Sequence, residues 1–105
     1  MTEDTKIDRE HRQLALMLER LGSFQTGRLA LRILVDDLEV LVNSLELASD
    51  DWCDEFRTNW LDLEVAYAVA SDKLAPNPDM TDAGVADAVR SLEAMVRRQL
   101  GDGER

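Results

Sequence analysis

The fold is decided by the stretch at residues 31–47, which reads LRILVDDLEVLVNSLEL. Its apolar residues recur at steps of three and four, the spacing that places side chains on one face of an α-helix. The residues on this face are Leu31, Leu34, Val35, Leu38, Leu41, Val42 and Leu45. The pattern predicts a helix of about 30–47 with one face in a hydrophobic core.

The same periodicity predicts three more helices, at about 6–26, 51–74 and 82–100, with frayed ends at 1–5 and 101–105. The first stripe contains Ile7, Leu14, Leu18 and Leu21, with Met17 and Phe24 at its edge. The third helix has Trp52, Phe56, Trp60, Leu63, Tyr67, Ala70 and Leu74. The fourth has Val85, Ala88, Val89, Leu92, Met95 and Val96.

Capping residues and helix breakers locate the ends of these helices. The predicted N-caps are Thr5 or Asp8 for the first helix, Asp50 or Asp51 for the third, and Thr81 for the fourth. The predicted stops are Gly27, the pair Pro76 and Pro78, and Gly101. The connections are short and no strand pattern competes, so residues 1–105 are expected to form one all-α domain, an antiparallel four-helix bundle.

Helices 2 and 3 carry a second apolar stripe, nearly opposite the first. Its residues are Ile33, Val40 and Leu47 in helix 2, and Leu61, Val65 and Val69 in helix 3. In an antiparallel pair the two stripes are expected to join into one patch. A helix that is apolar on two sides is normally covered on both. Either helices 2 and 3 are central, or the patch is an interface with a second copy or another protein.

The charge of the chain is strongly negative. Among its 105 residues, 22 are acidic and 12 basic, which gives a net charge of −10. The calculated pI near 4.4 argues against nucleic acid or an anionic membrane as a partner, because both require clusters of Lys and Arg. Residues 50–75 contain seven acidic and two basic side chains, and therefore carry half of the chain's net negative charge.

Two interpretations of this acidic segment stay open. It is either a solvated face that aids solubility, or a docking surface for a basic protein. On the second interpretation the expected contact residues are Asp50, Asp51, Asp54, Glu55 and Asp62, with Asp36 and Asp37 as second choices.

Residues that support catalysis are few. His11 is the only histidine and Cys53 the only cysteine, so neither a disulfide scaffold nor a histidine-containing metal site is expected. The carboxylates around Cys53 are expected to raise the pKa of its thiol, the opposite of what a nucleophile needs. We therefore expect no enzymatic activity, catalytic residue, metal or cofactor. A single free cysteine and the absence of a long apolar run favour a cytoplasmic protein.

Two further features have alternative interpretations. Trp52, Phe56 and Trp60 have the spacing of a core stripe, but tryptophan is also enriched at interface hot spots. Glu64 is either half-buried and paired, with Arg57 for example, or a solvent carboxylate.

The stretch from Leu14 to Leu45 resembles the first two helices of small bacterial immunity proteins that neutralise bacteriocins or tRNA-cleaving toxins. The resemblance lies in a spacing of apolar residues up to Gly27, followed by a long leucine-rich helix. It implies an acidic four-helix bundle that blocks the basic active site of a toxin. The leading hypothesis is thus a non-catalytic binding protein for a basic partner, and the alternative is a homodimeric scaffolding protein.

Overall fold

The computed structural model describes the backbone of residues 2–104 and the side chains of residues 5–101. Its four helices are α1 (Thr2–Gln25), α2 (Leu31–Asn43), α3 (Asp50–Asp72) and α4 (Ala83–Glu104). The described part of the chain contains no strand. The predicted all-α four-helix fold is confirmed. No helix in the described ranges has the length and hydrophobicity needed to cross a bilayer.

The helices are arranged as a closed ring. Each packs against its neighbours in the chain and α1 also packs against α4, whereas no Cα atoms of the diagonal pairs α1–α3 and α2–α4 come within 8 Å of each other. Every helix therefore has one inner and one outer side. The suggestion that helices 2 and 3 are central is wrong, because α1 and α4 pack against each other and leave the outer sides of α2 and α3 uncovered.

The core lies along the axis of this ring and follows the predicted stripes, with one correction in α1. Met17 and Phe24, expected at the edge, are buried, whereas Ile7 is exposed and Leu18 is half-buried. The reason is that α1 contacts both α2 and α4. Its buried face is consequently wider than one stripe and centred closer to Met17.

The ends of α1 and α2 differ from expectation in part. Gly27 ends α1 as predicted, with φ +79°, and the Arg28 N–H donates to the Ser23 carbonyl at 2.8 Å. At its start, α1 reaches back to Thr2, so Thr5 and Asp8 lie inside the helix rather than capping it. Helix α2 ends at Asn43 instead of Leu47.

The caps of α3 and α4 are each one residue away from those predicted. Ser49 caps α3 by accepting the Trp52 N–H at 3.1 Å, and Asp50 and Asp51 occupy the first turn, where their charge favours the helix dipole. Asp82 caps α4 by accepting the Val85 N–H at 3.1 Å.

Two residues expected to act at the ends of α4 do something else. Thr81 donates to Asp79 within the preceding turn instead of capping the helix. Gly101, the predicted stop, continues the helix to Glu104, because glycine permits the conformation that ends a helix but does not impose it.

Leu74 provides a prediction on stability. It ends α3 in the left-handed region with φ 53°, and its side chain is 94% exposed rather than part of the core stripe. The left-handed conformation costs about 1 kcal/mol for a residue other than glycine. Leu74→Gly is therefore expected to raise the free energy of unfolding by up to about 1 kcal/mol in urea denaturation.

Gly27 supplies the matched control, since it occupies the same conformation with the residue that suits it. Gly27→Ala should lower stability by a similar amount. A Leu74→Gly variant that is less stable than the parent chain would show that the side chain, and not the backbone, determines this turn.

Candidate docking surface on helix α3

The acidic residues singled out from the sequence lie on the outside of α3. Their side chains are all exposed: Asp50, Asp51, Asp54, Glu55 and Asp62. Between Asp50 and Asp72 the helix has seven acidic residues and a single basic one, Arg57. The Arg57 guanidinium donates to Asn43 Oδ1 on α2 at 2.6 Å and is thereby turned towards the neighbouring helix. The outer carboxylates therefore have no cation of their own helix beside them.

Ion pairs within the chain do not neutralise this surface either. Those formed by the described residues lie on α1, α2, α4 and the α2–α3 connection, and none includes a residue of α3. They are Arg9–Glu46 at 2.9 Å, Arg20–Asp37 at 3.3 Å, Arg90–Asp87 at 3.8 Å and Arg97–Glu93 at 3.4 Å. The carboxylates of α3 thus form no ion pair among the described residues, and a cation of another helix, Arg98 of α4, lines a groove with Asp51 and Glu55.

The two second-choice acidic residues lie elsewhere, on α2. Asp36 is exposed, whereas Asp37 is half-buried and paired with Arg20 of α1. Asp37 also lines a shallow groove with Leu16 and Val40. It belongs to the α1–α2 side of the bundle and not to the surface on α3.

An aliphatic row runs along the outside of α3 among these carboxylates. Leu61, Val65 and Val69 are 49%, 51% and 45% exposed. Val69, at the end of the row, also lines an open groove of about 630 Å³ with Ala66 and Pro76 from α3 and the α3–α4 connection. The surface is thus apolar along one line and acidic on both sides of it.

The second stripe of α2 is exposed as well. Val40 is 68% exposed and lies beside α1, whereas Val69 lies beside the α3–α4 connection. The seam between α2 and α3 is bridged by the polar Arg57–Asn43 contact. The joining of the two stripes into one patch, with Val40 near Leu61 and Ile33 near Val65 and Val69, stays a prediction.

The remaining members of these stripes are exposed too. Ile33 lies on α2, and Leu47 lies in the α2–α3 connection because α2 ends before reaching it.

The aromatic residues of α3 determine which side of the helix faces outward. Phe56 is completely buried and stacks on Trp52 at a centroid distance of 5.3 Å. The Trp60 indole N–H donates to the Val35 carbonyl of α2 at 2.9 Å. The core interpretation of these residues is confirmed. Since they hold one side of α3 inward, Leu61 and the carboxylates are presented on the other.

Glu10 is the residue that the sequence analysis missed. Its side chain is only 5% exposed, and it accepts the backbone N–H groups of Glu46, Leu47 and Ala48 at 2.9, 2.8 and 3.0 Å. These bonds hold residues 46–48 in a non-helical conformation, which is why α2 ends early. The available signal was its position four residues before Leu14, on the extension of the core stripe of α1.

Three other candidates have simple environments. His11 is half-buried at the edge of α1, and Glu64 is exposed, so Glu64 is a solvent carboxylate. Cys53 is half-buried, and the pKa of its thiol is raised, first by burial and then by Asp50, Asp54 and Glu10, with Arg57 opposing. The predicted direction is confirmed, although burial rather than the carboxylates is its main cause.

The raised pKa of Cys53 leads to a prediction on its reactivity. Alkylation of Cys53 by iodoacetamide should be slower in the native protein than in urea. In the native protein, the midpoint of the rise in rate with pH should lie above the ordinary thiol pKa of 9.0. Because the folded state favours the protonated thiol, this group's contribution to stability is complete below the unfolded pKa and is lost as pH rises through the native one. Equal rates in both states would contradict the assignment.

Metal sites and known relatives give no further indication of function. Within the described side chains, no three or more His, Cys, Asp or Glu residues are placed to hold a metal ion. No protein-family model matches the chain, and no curated protein or solved structure is significantly similar to it.

Proposed function

We propose that this chain is a non-catalytic binding protein whose outer α3 face docks a basic partner protein. The observation that supports this most directly is the absence of any ion pair to α3 among the described residues, while the other helices pair part of their charge. Asp50, Asp51, Asp54, Glu55 and Asp62 are the proposed contact residues. Their carboxylates would occupy a cationic surface and keep its natural ligand away.

The net charge of −10 supports the same proposal through the kinetics of association. A strongly negative protein attracts a basic partner over distances of about 10 Å at moderate salt, and faster encounter raises the association rate. Binding should accordingly weaken as salt is raised. Affinity that stays constant from low to moderate salt would be evidence against an electrostatic mechanism.

The resemblance of residues 14–45 to toxin-immunity proteins suggests which basic protein the partner is. We propose a nuclease toxin, whose active site is basic because it binds a phosphate backbone. The carboxylates of α3 would enter that site in place of phosphates. The protein would then act in the bacterial cytoplasm, where the toxin's substrate is found.

Affinity capture with two matched triple variants tests the proposal. The first, Asp54→Asn with Glu55→Gln and Asp62→Asn, removes three exposed charges from α3. The second, Glu19→Gln with Glu39→Gln and Asp87→Asn, removes three exposed charges from the other helices. Each is immobilised, exposed to extract of the native cells and eluted with a salt gradient, and the eluted proteins are identified by mass spectrometry.

The proposal expects a basic protein that the parent chain and the second variant retain and the first variant loses. If both variants lose it equally, net charge alone is responsible and α3 is not the site. If neither loses it, the acidic residues of α3 serve solubility.

A homodimer is the second candidate, and the exposure of Val40 is the observation that favours it. Val40 lies on the α1–α2 side, where Arg20 and Asp37 pair with each other. A homodimer would have a mass in solution of twice the chain mass of 11.8 kDa. The Val40→Asp variant would be a monomer. Light scattering that shows one chain mass at high concentration would eliminate it.

A further inference from the structure

We infer that the element which docks on α3 is a basic amphipathic helix, packed along Leu61, Val65 and Val69 with its Lys and Arg side chains against the flanking carboxylates. The inference rests on the proposed function, but it specifies the shape of the partner and assigns the exposed aliphatic row a role that charge alone does not require.

The row has the geometry that a helix recognises. Its three residues follow one another at steps of four, so they lie one turn apart on one side of α3 and span roughly 12 Å. A partner helix of two to three turns presents anchors at steps of three and four over the same length. The described part of the chain does not cover the row, since each of the three side chains is about half exposed.

The charges beside the row determine the character of the partner. Asp62 follows Leu61, Glu64 precedes Val65, and Asp72 comes one turn after Val69; all three are exposed and have no ion-pair partner among the described residues. An apolar centre with a charged rim is the usual arrangement of a protein interface. Complementarity then requires Lys or Arg on both sides of the partner's apolar stripe.

The open groove at the end of the row extends the surface beyond α3. Val69 leads into it, and its walls include Ala66, Pro76 and Pro78. Asp79 also lines the groove, and the Thr81 hydroxyl and backbone N–H hold the pKa of its carboxyl below the ordinary value. Asp82 and Lys73 line the groove as well, so a helix that follows the row would meet apolar walls, two carboxylates and one lysine at this end.

A second copy of the chain does not fit this surface. Pairing α3 with the α3 of another copy would bring two unpaired acidic surfaces together, and like charges at an interface are costly. The same charge disfavours nucleic acid and anionic membranes. A cationic helix is the occupant that satisfies both the aliphatic row and its rim.

Two synthetic peptides of identical composition test the inference. Both contain leucine, alanine, lysine and arginine and have about 18 residues, enough to form a helix on binding. In one the leucines form a single stripe, and in the other they are distributed around the helix. Binding to the intact protein is followed by calorimetry and by changes in amide NMR shifts.

The striped peptide should bind about tenfold more tightly than the distributed one, with shift changes centred on residues 61–69. Val65→Ser with Val69→Ser should abolish this preference and leave the distributed peptide's affinity unchanged. Ile33→Ser with Val40→Ser is the matched control on α2 and should retain the preference. Equal binding of both peptides to the parent protein would overturn the inference.

Failure of the proposed function is distinguishable in the same experiment. If both peptides bind equally and the triple variant of α3 weakens both more than the control triple variant does, the acidic surface is functional and only the helical partner is wrong. If the two triple variants bind the peptides with the same affinity, the proposed function is wrong, and so is the inference that rests on it.

Discussion

Glu10→Ala is expected to lower the free energy of unfolding by about 3 kcal/mol, although Glu10 lies on α1 and is not one of the proposed contact residues. Its carboxylate is the acceptor for three consecutive backbone N–H groups, those of residues 46–48. A hydrogen bond to a charged group contributes about 1.5–3 kcal/mol, and a donor that loses its acceptor adds a desolvation cost. The value is below the sum of three bonds because water can reach part of the connection.

Urea denaturation followed by circular dichroism measures this effect. Glu19→Ala is the matched control, since Glu19 is exposed on the same helix and should change stability by less than about 0.5 kcal/mol. Glu10→Gln, which keeps one acceptor oxygen, should fall between the two. Equal stability of the Glu10 and Glu19 variants would mean that the α2–α3 connection does not depend on this carboxylate.

Phe56→Ala is expected to cost about 4 kcal/mol, a large part of the stability of a domain of this size. Phe56 is fully buried at the centre of the inner side of α3 and stacks on Trp52. Its removal leaves a cavity and releases one of the contacts that hold the outer side of the helix towards solvent. Both unfolding in urea and a shift in tryptophan fluorescence should report the change.

Val40→Ala is the control for this prediction, because Val40 has similar chemistry but is 68% exposed. It should alter the free energy of unfolding by less than about 0.5 kcal/mol. Phe56→Leu should recover much of the loss, since it refills most of the volume. A Phe56→Ala variant as stable as the Val40 variant would contradict the placement of α3 in the core.

The number of helices and most of their inward residues could be predicted because both depend on local periodicity. Leu34, Leu38 and Val42 are buried because a 3.6-residue period places them together, whatever lies opposite. The acidic outer side of α3 follows from the same rule, since Asp54 and Asp62 fall between the members of its apolar stripe. Local sequence was therefore sufficient for the fold class and for the exposure of the proposed site residues.

The ends of α2 could not be predicted in this way. The stripe of α2 continues in sequence to Leu45, and the interruption comes from Glu10, a residue 36 positions earlier than Glu46. A hydrogen bond between distant segments does not change the spacing of apolar residues in either segment, so the periodicity does not reveal it. The burial of Glu10 itself is equally non-local, because a glutamate in a helix is ordinarily solvated.

By itself, the sequence determined four amphipathic helices, their inner residues and an acidic outer side on α3, because each of these follows from the order of residues within one helix. Only the tertiary structure decided what becomes of the second apolar stripes. Since α1 and α4 close the ring, the outer sides of α2 and α3 stay uncovered, and Val40 and Val69 lie beside different neighbours. The physical reason is that periodicity specifies which side of a helix is apolar, whereas the packing of other helices specifies which apolar side is covered.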